Sequence, residues 1–168
     1  MRFYDKDNSM LFINPKKTAA LMKYRMRIIE NISEDGKIPE AWSGCYADLC
    51  LKLAGAKVGA GELSEGFAYL EKAFDLYDIW LQIPSGKKMD VGNPALFGNA
   101  KISKTDESCV VNIFFDDGTT VWTPYLWLFW QLKDDIACAM TKWPWFINVR
   151  EDERYVDLLA RAKEMANH

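Results

Sequence analysis

The feature that most constrains the fold is a concentration of tryptophan between residues 122 and 145, where five of the seven tryptophans of this 168-residue chain occur. Thr123 followed by Pro124 is a typical helix start, because a hydroxyl caps the first turn and proline fits its first position. Every residue from Tyr125 to Trp130 is apolar, and a helix that is apolar on all sides is enclosed by its domain. The sequence therefore predicts a central helix of about five turns that ends at Lys142.

Length and composition predict a single domain spanning residues 1–168. Apolar residues make up 49% of the chain, which is enough for a substantial core. The net charge of −3 argues against a nucleic-acid surface, although residues 1–60 carry three more basic than acidic groups. The apolar run at 125–130 is too short to cross a membrane, and the charged N-terminus is unlike a signal peptide. We expect a cytoplasmic protein that binds neither nucleic acid nor membrane.

Several signals for catalysis or metal binding are missing. The single histidine is His168, the last residue, and a terminal side chain is rarely fixed well enough for a catalytic triad or a metal site. The four cysteines lack the paired spacing of disulfide or zinc frameworks. Gly86-Lys87-Lys88 departs from the phosphate-binding loop pattern, and Asp116 and Asp117 beside a glycine are read as turn residues. We expect no cofactor and no metal.

Helical periodicity predicts three helices before residue 84. Asn14-Pro15 opens the first, which continues to about Ile32. Its inward face is predicted to comprise five large apolar residues: Leu21, Tyr24, Ile28, Ile29 and Ile32. Arg25 projects from that face, where it would pair with a carboxylate, lie along the core edge, or bind an anionic ligand. The second helix is predicted at about 39–57, and the third at about 63–83 is apolar on two sides.

Residues 61–76 resemble the turn and second helix of a tetratricopeptide repeat. The small residues that the repeat uses for close helix contact fall at Gly66 and Ala73, and its turn glycine falls at Gly61. The repeat's first-helix tryptophan would fall at Cys50, and no second copy is visible at the expected period. The resemblance implies a helical hairpin, about 42–83, that binds a partner peptide or protein.

After this hairpin, the spacing of apolar residues changes from helical to alternating, which is typical of strands. A 16-residue loop at 84–99, with Leu96 and Phe97 tucked onto the core, is followed by three predicted strands that form an antiparallel meander: 100–104, 109–115 and 119–122. Asp152 is predicted to cap a last helix that ends near Ala166. The predicted fold is α+β and predominantly α, with about five helices (regions 14–83 and 123–166) and a three-stranded meander inserted before the Trp-rich helix (region 84–122).

Two further resemblances bear on function. Residues 146–159 resemble the final capped helix of proteins built of tetratricopeptide-like units. The hairpin with its glycine-rich loop resembles the helical C-terminal region of helix-turn-helix regulators from Gram-positive bacteria. The second resemblance implies a ligand-sensing or dimerising domain whose DNA-reading part lies elsewhere.

Four residues form a candidate binding groove. Trp127 and Trp130 would be its aromatic walls, Asp134 would bind a cationic or hydroxyl group, and Arg25 is a further candidate. The alternative is that Asp134 marks the point where the helix reaches water, with Trp127 and Trp130 in the core. The predicted function is non-enzymatic recognition of a protein or peptide, which includes a second copy of the chain. The alternatives are the regulator domain and a small enzyme that uses carboxylates.

Overall fold

The computed structural model describes residues 14–32, 36–106, 110–124 and 132–166. The fold class is α+β and predominantly α, as predicted, with five helices longer than ten residues in the described part. Its elements in chain order are α1 (Pro15–Glu30), the 3-10 helix η1 (Glu40–Trp42), α2 (Ser43–Gly59), α3 (Leu63–Gln82), β1 (Lys88–Asp90), α4 (Pro94–Phe97), β2 (Lys101–Lys104), β3 (Val110–Phe114), β4 (Thr120–Pro124), α5 (Leu132–Lys142), the 3-10 helix η2 (Pro144–Val149) and α6 (Glu153–Ala166).

Two of the predicted helix starts are confirmed by their capping bonds. The Asn14 side chain accepts a hydrogen bond of 3.0 Å from the Lys17 amide, and Pro15 occupies the first position of α1. The Asp152 carboxylate accepts a bond of 3.0 Å from the Arg154 amide at the start of α6. In both helices a side-chain oxygen satisfies an amide that has no partner within the helix.

The most enclosed helix of the described part is α2, which carries no tryptophan. Every residue from 51 to 58 is buried, because α2 packs against α1, α3, α5 and η2. Gly55 and Gly59 allow Trp145 to lie directly on the helix: a Cβ atom on Gly55 would lie 2.6 Å from Trp145 Cε3. Among the described helices the enclosed position is therefore that of α2, while the enclosure predicted for residues 125–130 lies outside the described part.

The predicted helix start at Thr123-Pro124 is wrong. Both residues belong to β4, where Thr123 pairs with Val111 and Pro124 with Val110. Strand pairing prevails over the local capping signal, and Pro124 is tolerated because β4 is an edge strand that ends there. The predicted end of the helix at Lys142 is confirmed by α5, whereas residues 125–131 lie outside the described part.

The sheet is an antiparallel meander of four strands in the order β1-β2-β3-β4, not the three predicted. The additional strand, β1, lies within the segment predicted to be a loop and places Met89 opposite Ile102. The same face carries Ile113 and Val121 through the next two pairings. The part of this face on β1 and β2 packs into the core, since Met89 and Ile102 are buried, whereas Val121 on β4 is 43% exposed.

A buried lysine joins the sheet to the helical hairpin. Lys104 at the end of β2 donates hydrogen bonds of 3.0 Å to the carbonyl oxygens of Trp80 and Leu81. These carbonyls belong to the last turn of α3, where the helix dipole favours a positive charge. The Trp80 carbonyl also accepts a hydrogen bond of 3.3 Å from the Ile83 amide. Burial lowers the pKa of the Lys104 ammonium.

Candidate recognition surfaces

Only one of the four predicted groove residues has a described side chain. Trp127 and Trp130 lie outside the described residues, and Asp134 belongs to α5 but its side chain is not among those described. Arg25 lies on α1 with its side chain exposed. The groove between these four residues stays a prediction.

The face that α1 turns inward differs from the predicted one. Its buried residues are Thr18, Met22, Met26 and Ile29. Three of the residues predicted to face the core are instead open to solvent, with Leu21 42%, Tyr24 63% and Ile28 48% exposed. These three residues, spaced over two turns of one side of the helix, are called the α1 stripe below.

The predicted environment of Arg25 is also wrong, because the buried face of α1 is not the predicted one. Arg25 does not project from a buried apolar face, because that side of α1 faces solvent. It has no ion-pair partner within the described residues, and the same is true of Lys17, Lys23 and Arg27 on the same helix. The α1 stripe is therefore flanked by basic side chains that form no ion pair within the described ranges.

Several cations elsewhere in the described part form ion pairs that join elements of the fold. Arg161 pairs with Asp78 at 2.9 Å and with Asp75 at 3.1 Å, tying α6 to α3. Lys57 pairs with Glu65 at 3.0 Å. Hydrogen bonds to Glu62 and Glu65 raise the pKa of the Lys57 ammonium. The same contacts fix the turn between α2 and α3.

Three further ion pairs engage exposed or half-exposed cations. They join η1 to the loop before β1, two neighbouring strands, and α3 to α6: Glu40–Lys87 at 2.7 Å, Asp90–Lys101 at 2.5 Å and Glu71–Arg154 at 2.9 Å. Lys87, part of the sequence compared with a phosphate-binding loop, is thus engaged by a carboxylate. These pairs hold elements together, and none lies on α1.

The buried thiol and phenol side chains between α1 and α2 are held in their neutral forms. Burial raises the pKa of the Cys50 thiol to about 12, which makes it a poor nucleophile because the thiolate is the reactive species. The pKa of Tyr46 is raised by burial and by its 2.5 Å hydrogen bond to the Glu30 carboxylate. Both environments stabilise packing and do not activate a reacting group.

The aspartates at the β3–β4 turn act as turn residues, as predicted. The Asp117 carboxylate accepts a hydrogen bond of 2.8 Å from the Thr119 amide, which lowers the pKa of that carboxyl. Asp116 accepts a bond of 3.2 Å from the amide of Asn99. No group of three or more potential metal-ligating side chains occurs in the described ranges.

A cavity of about 450 Å³ lies between the helix-facing side of the sheet and the start of α2. The sheet contributes Ile102, Val111 and Ile113, while Trp42 and Phe97 form an aromatic wall with ring centroids 6.2 Å apart. Sequence reasoning missed this cavity. The alternation in β2 and β3 indicates one apolar face, but nothing in the sequence indicates that η1, the start of α2 and α4 leave space beside it.

The segment that borders the cavity is anchored at both ends. The Trp42 indole donates a hydrogen bond of 2.6 Å to the Val91 carbonyl, and the Asn93 amide donates one of 3.0 Å to the Ile32 carbonyl. At the other end, Asn99 bonds to the hairpin turn. The short helix α4 between these anchors leaves Leu96 65% exposed, so the prediction that Leu96 packs onto the core is wrong.

The chain matches no known protein family, curated protein or solved structure in the three comparisons made. None of the helices in the described ranges is both long enough and apolar enough to span a membrane. The α1 stripe and the cavity are therefore interpreted from their own geometry and charge.

Proposed function

We propose that the protein is a non-enzymatic recognition module that binds an acidic, amphipathic helix of a partner protein along the α1 stripe. The observation that carries this proposal is the exposure of Leu21, Tyr24 and Ile28 on one side of a helix. Exposed apolar patches flanked by polar residues are typical of protein interaction sites. A partner helix can bury such a stripe with residues at helical spacing.

The charge around the stripe selects the partner. Lys17 and Arg25 lie beside it on α1, with Lys23 and Arg27 on the same helix, and no acidic residue occurs in α1 before Glu30. A second copy docked through the same surface would bring like charges together, which disfavours association. Acidic groups on the partner would instead increase the association rate and fix the orientation.

The hairpin of α2 and α3 supports a recognition role of the tetratricopeptide type. Gly66, predicted to allow close helix contact, approaches α2 so closely that a Cβ atom there would lie 2.6 Å from Val58 Cγ2. Ala73, the second small residue of the motif, is fully buried. Such hairpins present neighbouring helices as binding surfaces, and α1 packs against α2. We place the protein in the cytoplasm, consistent with free thiols at Cys45, Cys50 and Cys138.

The test uses fluorescence anisotropy with a labelled synthetic helix that carries leucines on one face and glutamates beside them. We expect saturable binding that weakens as salt is added. The double variant Leu21→Ser/Ile28→Ser should lose roughly thirtyfold in affinity, because each half-exposed aliphatic side chain contributes about 1 kcal/mol on burial. Arg25→Glu should weaken binding of the same peptide.

Matched controls distinguish binding at the α1 stripe from nonspecific binding to other exposed apolar residues. Ile79→Ser and Val156→Ser change apolar residues of comparable exposure on α3 and α6, and should leave affinity unchanged. Equal binding by the Leu21→Ser/Ile28→Ser variant, or by a peptide with lysines in place of glutamates, would refute the proposal. A concentration-dependent dimer abolished by that variant would assign the stripe to a second copy instead.

The cavity favours a second candidate function, the ligand-sensing domain of a bacterial transcription regulator whose DNA-reading part lies elsewhere. A pre-formed apolar cavity is a common feature of small-molecule sites. A ligand that binds only the folded protein raises its melting temperature by mass action. A thermal-shift screen with small apolar compounds therefore tests this function, and the absence of any shift would contradict it.

A further inference from the structure

The cavity beside the sheet is large enough for a small organic molecule. Its volume is about 450 Å³, whereas an engineered apolar cavity of about 150 Å³ binds benzene. Space of this size accommodates two aromatic rings or a hydrocarbon chain of comparable volume, and it falls within the roughly 300–1,000 Å³ typical of ligand sites.

The lining of the cavity determines the ligand's chemistry. Among the described lining residues, most are aliphatic or aromatic, and none carries a charged side chain at neutral pH. The indole N–H of Trp42 is already bonded to the Val91 carbonyl. A charged ligand would lose its hydration here without gaining a counter-ion, which costs several kcal/mol or more. We propose that this cavity is a binding site for a neutral, apolar small molecule of about two rings.

The same features disfavour a peptide backbone inside the cavity. A polypeptide brings a backbone N–H and C=O with every residue, and these groups need hydrogen-bond partners when they are buried. The hydrocarbon walls formed by Phe97, Ile102 and Ile113 supply none. A hydrocarbon-like ligand has no such requirement, and its burial against these side chains is favourable.

The mouth of the cavity is pre-formed. α4 borders it between anchors at Asn93 and Asn99, and Phe115, directly after β3, also lines it. Leu96 and Phe115 line the cavity but are 65% and 44% exposed. A bound apolar molecule would cover both side chains, with little ordering of the chain required on binding.

This inference is independent of docking on the α1 stripe and specifies the ligand class for the sensing function. The experiment titrates the full chain with prodan, a neutral probe with a two-ring naphthalene core whose fluorescence increases in apolar surroundings. We expect saturable binding at one site. At about pH 8, neutral decan-1-ol should displace the probe. Decanoate, which is ionised at that pH, should compete at least tenfold less well than decan-1-ol.

Variants locate the probe. Ala100→Leu adds a larger side chain to the cavity wall and should reduce probe affinity about tenfold or more, whereas Ala68→Leu makes the same change at an exposed position of α3 and should have no effect. If Ala100→Leu is not folded by circular dichroism, Leu96→Ser decides the question. Leu96 is largely exposed, so its replacement should spare folding while weakening the probe severalfold.

Failure of this inference differs from failure of partner docking. The Leu21→Ser/Ile28→Ser variant should bind the probe like the original chain, because the α1 stripe is not part of the cavity lining. Absence of saturable binding, undiminished binding by the folded Ala100→Leu variant or by Leu96→Ser, or displacement by decanoate as effective as by decan-1-ol would overturn the inference.

Discussion

Replacing Gly66 with alanine should destabilise the protein, although the same change in an ordinary helix stabilises by about 1 kcal/mol. A Cβ atom on Gly66 would lie 2.6 Å from Val58 Cγ2, 3.1 Å from the Val58 amide nitrogen and 3.2 Å from the Ala54 carbonyl oxygen. Carbon atoms in favourable contact are about 3.5–4.0 Å apart. The added methyl group therefore overlaps α2, and two of the three atoms that it meets belong to backbone.

The structure sets the size of this effect. The Val58 side chain has one strongly preferred rotamer in a helix and is buried, so it cannot rotate away cheaply. α3 must move away from α2, which places the cost near the upper end of the roughly 1–3 kcal/mol typical of overpacking. After subtraction of the helix-propensity gain, we expect a net loss of about 2 kcal/mol, or roughly 4–8 °C in Tm.

The assay is urea and thermal unfolding followed by far-UV circular dichroism. Ser64→Ala, an exposed change in the first turn of α3, is the control and should alter the free energy of unfolding by less than about 0.5 kcal/mol. Removing the Val58 methyl groups should relieve part of the overlap, so Gly66→Ala/Val58→Ala should be less destabilised than the sum of the single variants. A Gly66→Ala protein as stable as the original, or more stable, would refute the close approach of α2 and α3.

Two further predictions concern buried polar groups. Tyr46→Phe should cost about 1.5 kcal/mol at neutral pH, because the hydrogen bond to the charged Glu30 is lost while Glu30 stays hydrated. Since the folded-state pKa of Tyr46 is raised above 10.0, the original chain's advantage in urea unfolding should be constant from neutral pH to about pH 10 and decline above it. A difference that does not change above about pH 10 would contradict that origin. Lys104→Met should cost about 1–3 kcal/mol, because the carbonyls of Trp80 and Leu81 lose the hydrogen bonds that the buried ammonium donates. The folded-state pKa of Lys104 is lowered, so the unfolded chain binds more protons than the folded protein in the pH interval below 10.5. The stability advantage of the original chain over Lys104→Met should therefore grow with pH through that interval. An advantage that shrinks as the pH rises would contradict this prediction.

The parts of the fold set by local signals were predictable from the sequence. Gly61 lies in the turn between α2 and α3 with a positive φ of 82°. Asn14 and Asp152 cap the helices that they were expected to cap. These positions depend on backbone conformation or on hydrogen bonds that span a few residues. Their chemistry is therefore determined by the neighbouring residues and is visible in the sequence.

The parts set by long-range packing were not predictable. In α1, Leu21, Tyr24 and Ile28 form one stripe at helical spacing, while Met22 and Met26 form a second, overlapping stripe. Hydrophobicity alone favours the first, yet the second is buried, because packing against α2 selects the face. The exposed α1 stripe, and with it the candidate site, follows from that choice.

The β-region illustrates the same limit. β1 has one apolar residue, Met89, between Lys88 and Asp90, and it lies between glycine-containing turns, so no alternating pattern marks it as a strand. It forms because β2 offers a free edge that pairs with it. Similarly, Thr123-Pro124 carries a strong helix-start signal but is fixed as strand by pairing with β3.

Hydroxyl-radical labelling of the free protein, with and without the acidic synthetic helix, tests the central claim most directly. Methionine is the more easily oxidised side chain, so protection of Met22 and Met26 together with labelling of Leu21, Tyr24 and Ile28 would establish which face of α1 is buried. The account predicts this pattern in the free protein and selective loss of labelling on the α1 stripe when the peptide is bound. Heavy oxidation of Met22 and Met26 in the folded protein, or unchanged labelling of the stripe under saturating peptide, would contradict it.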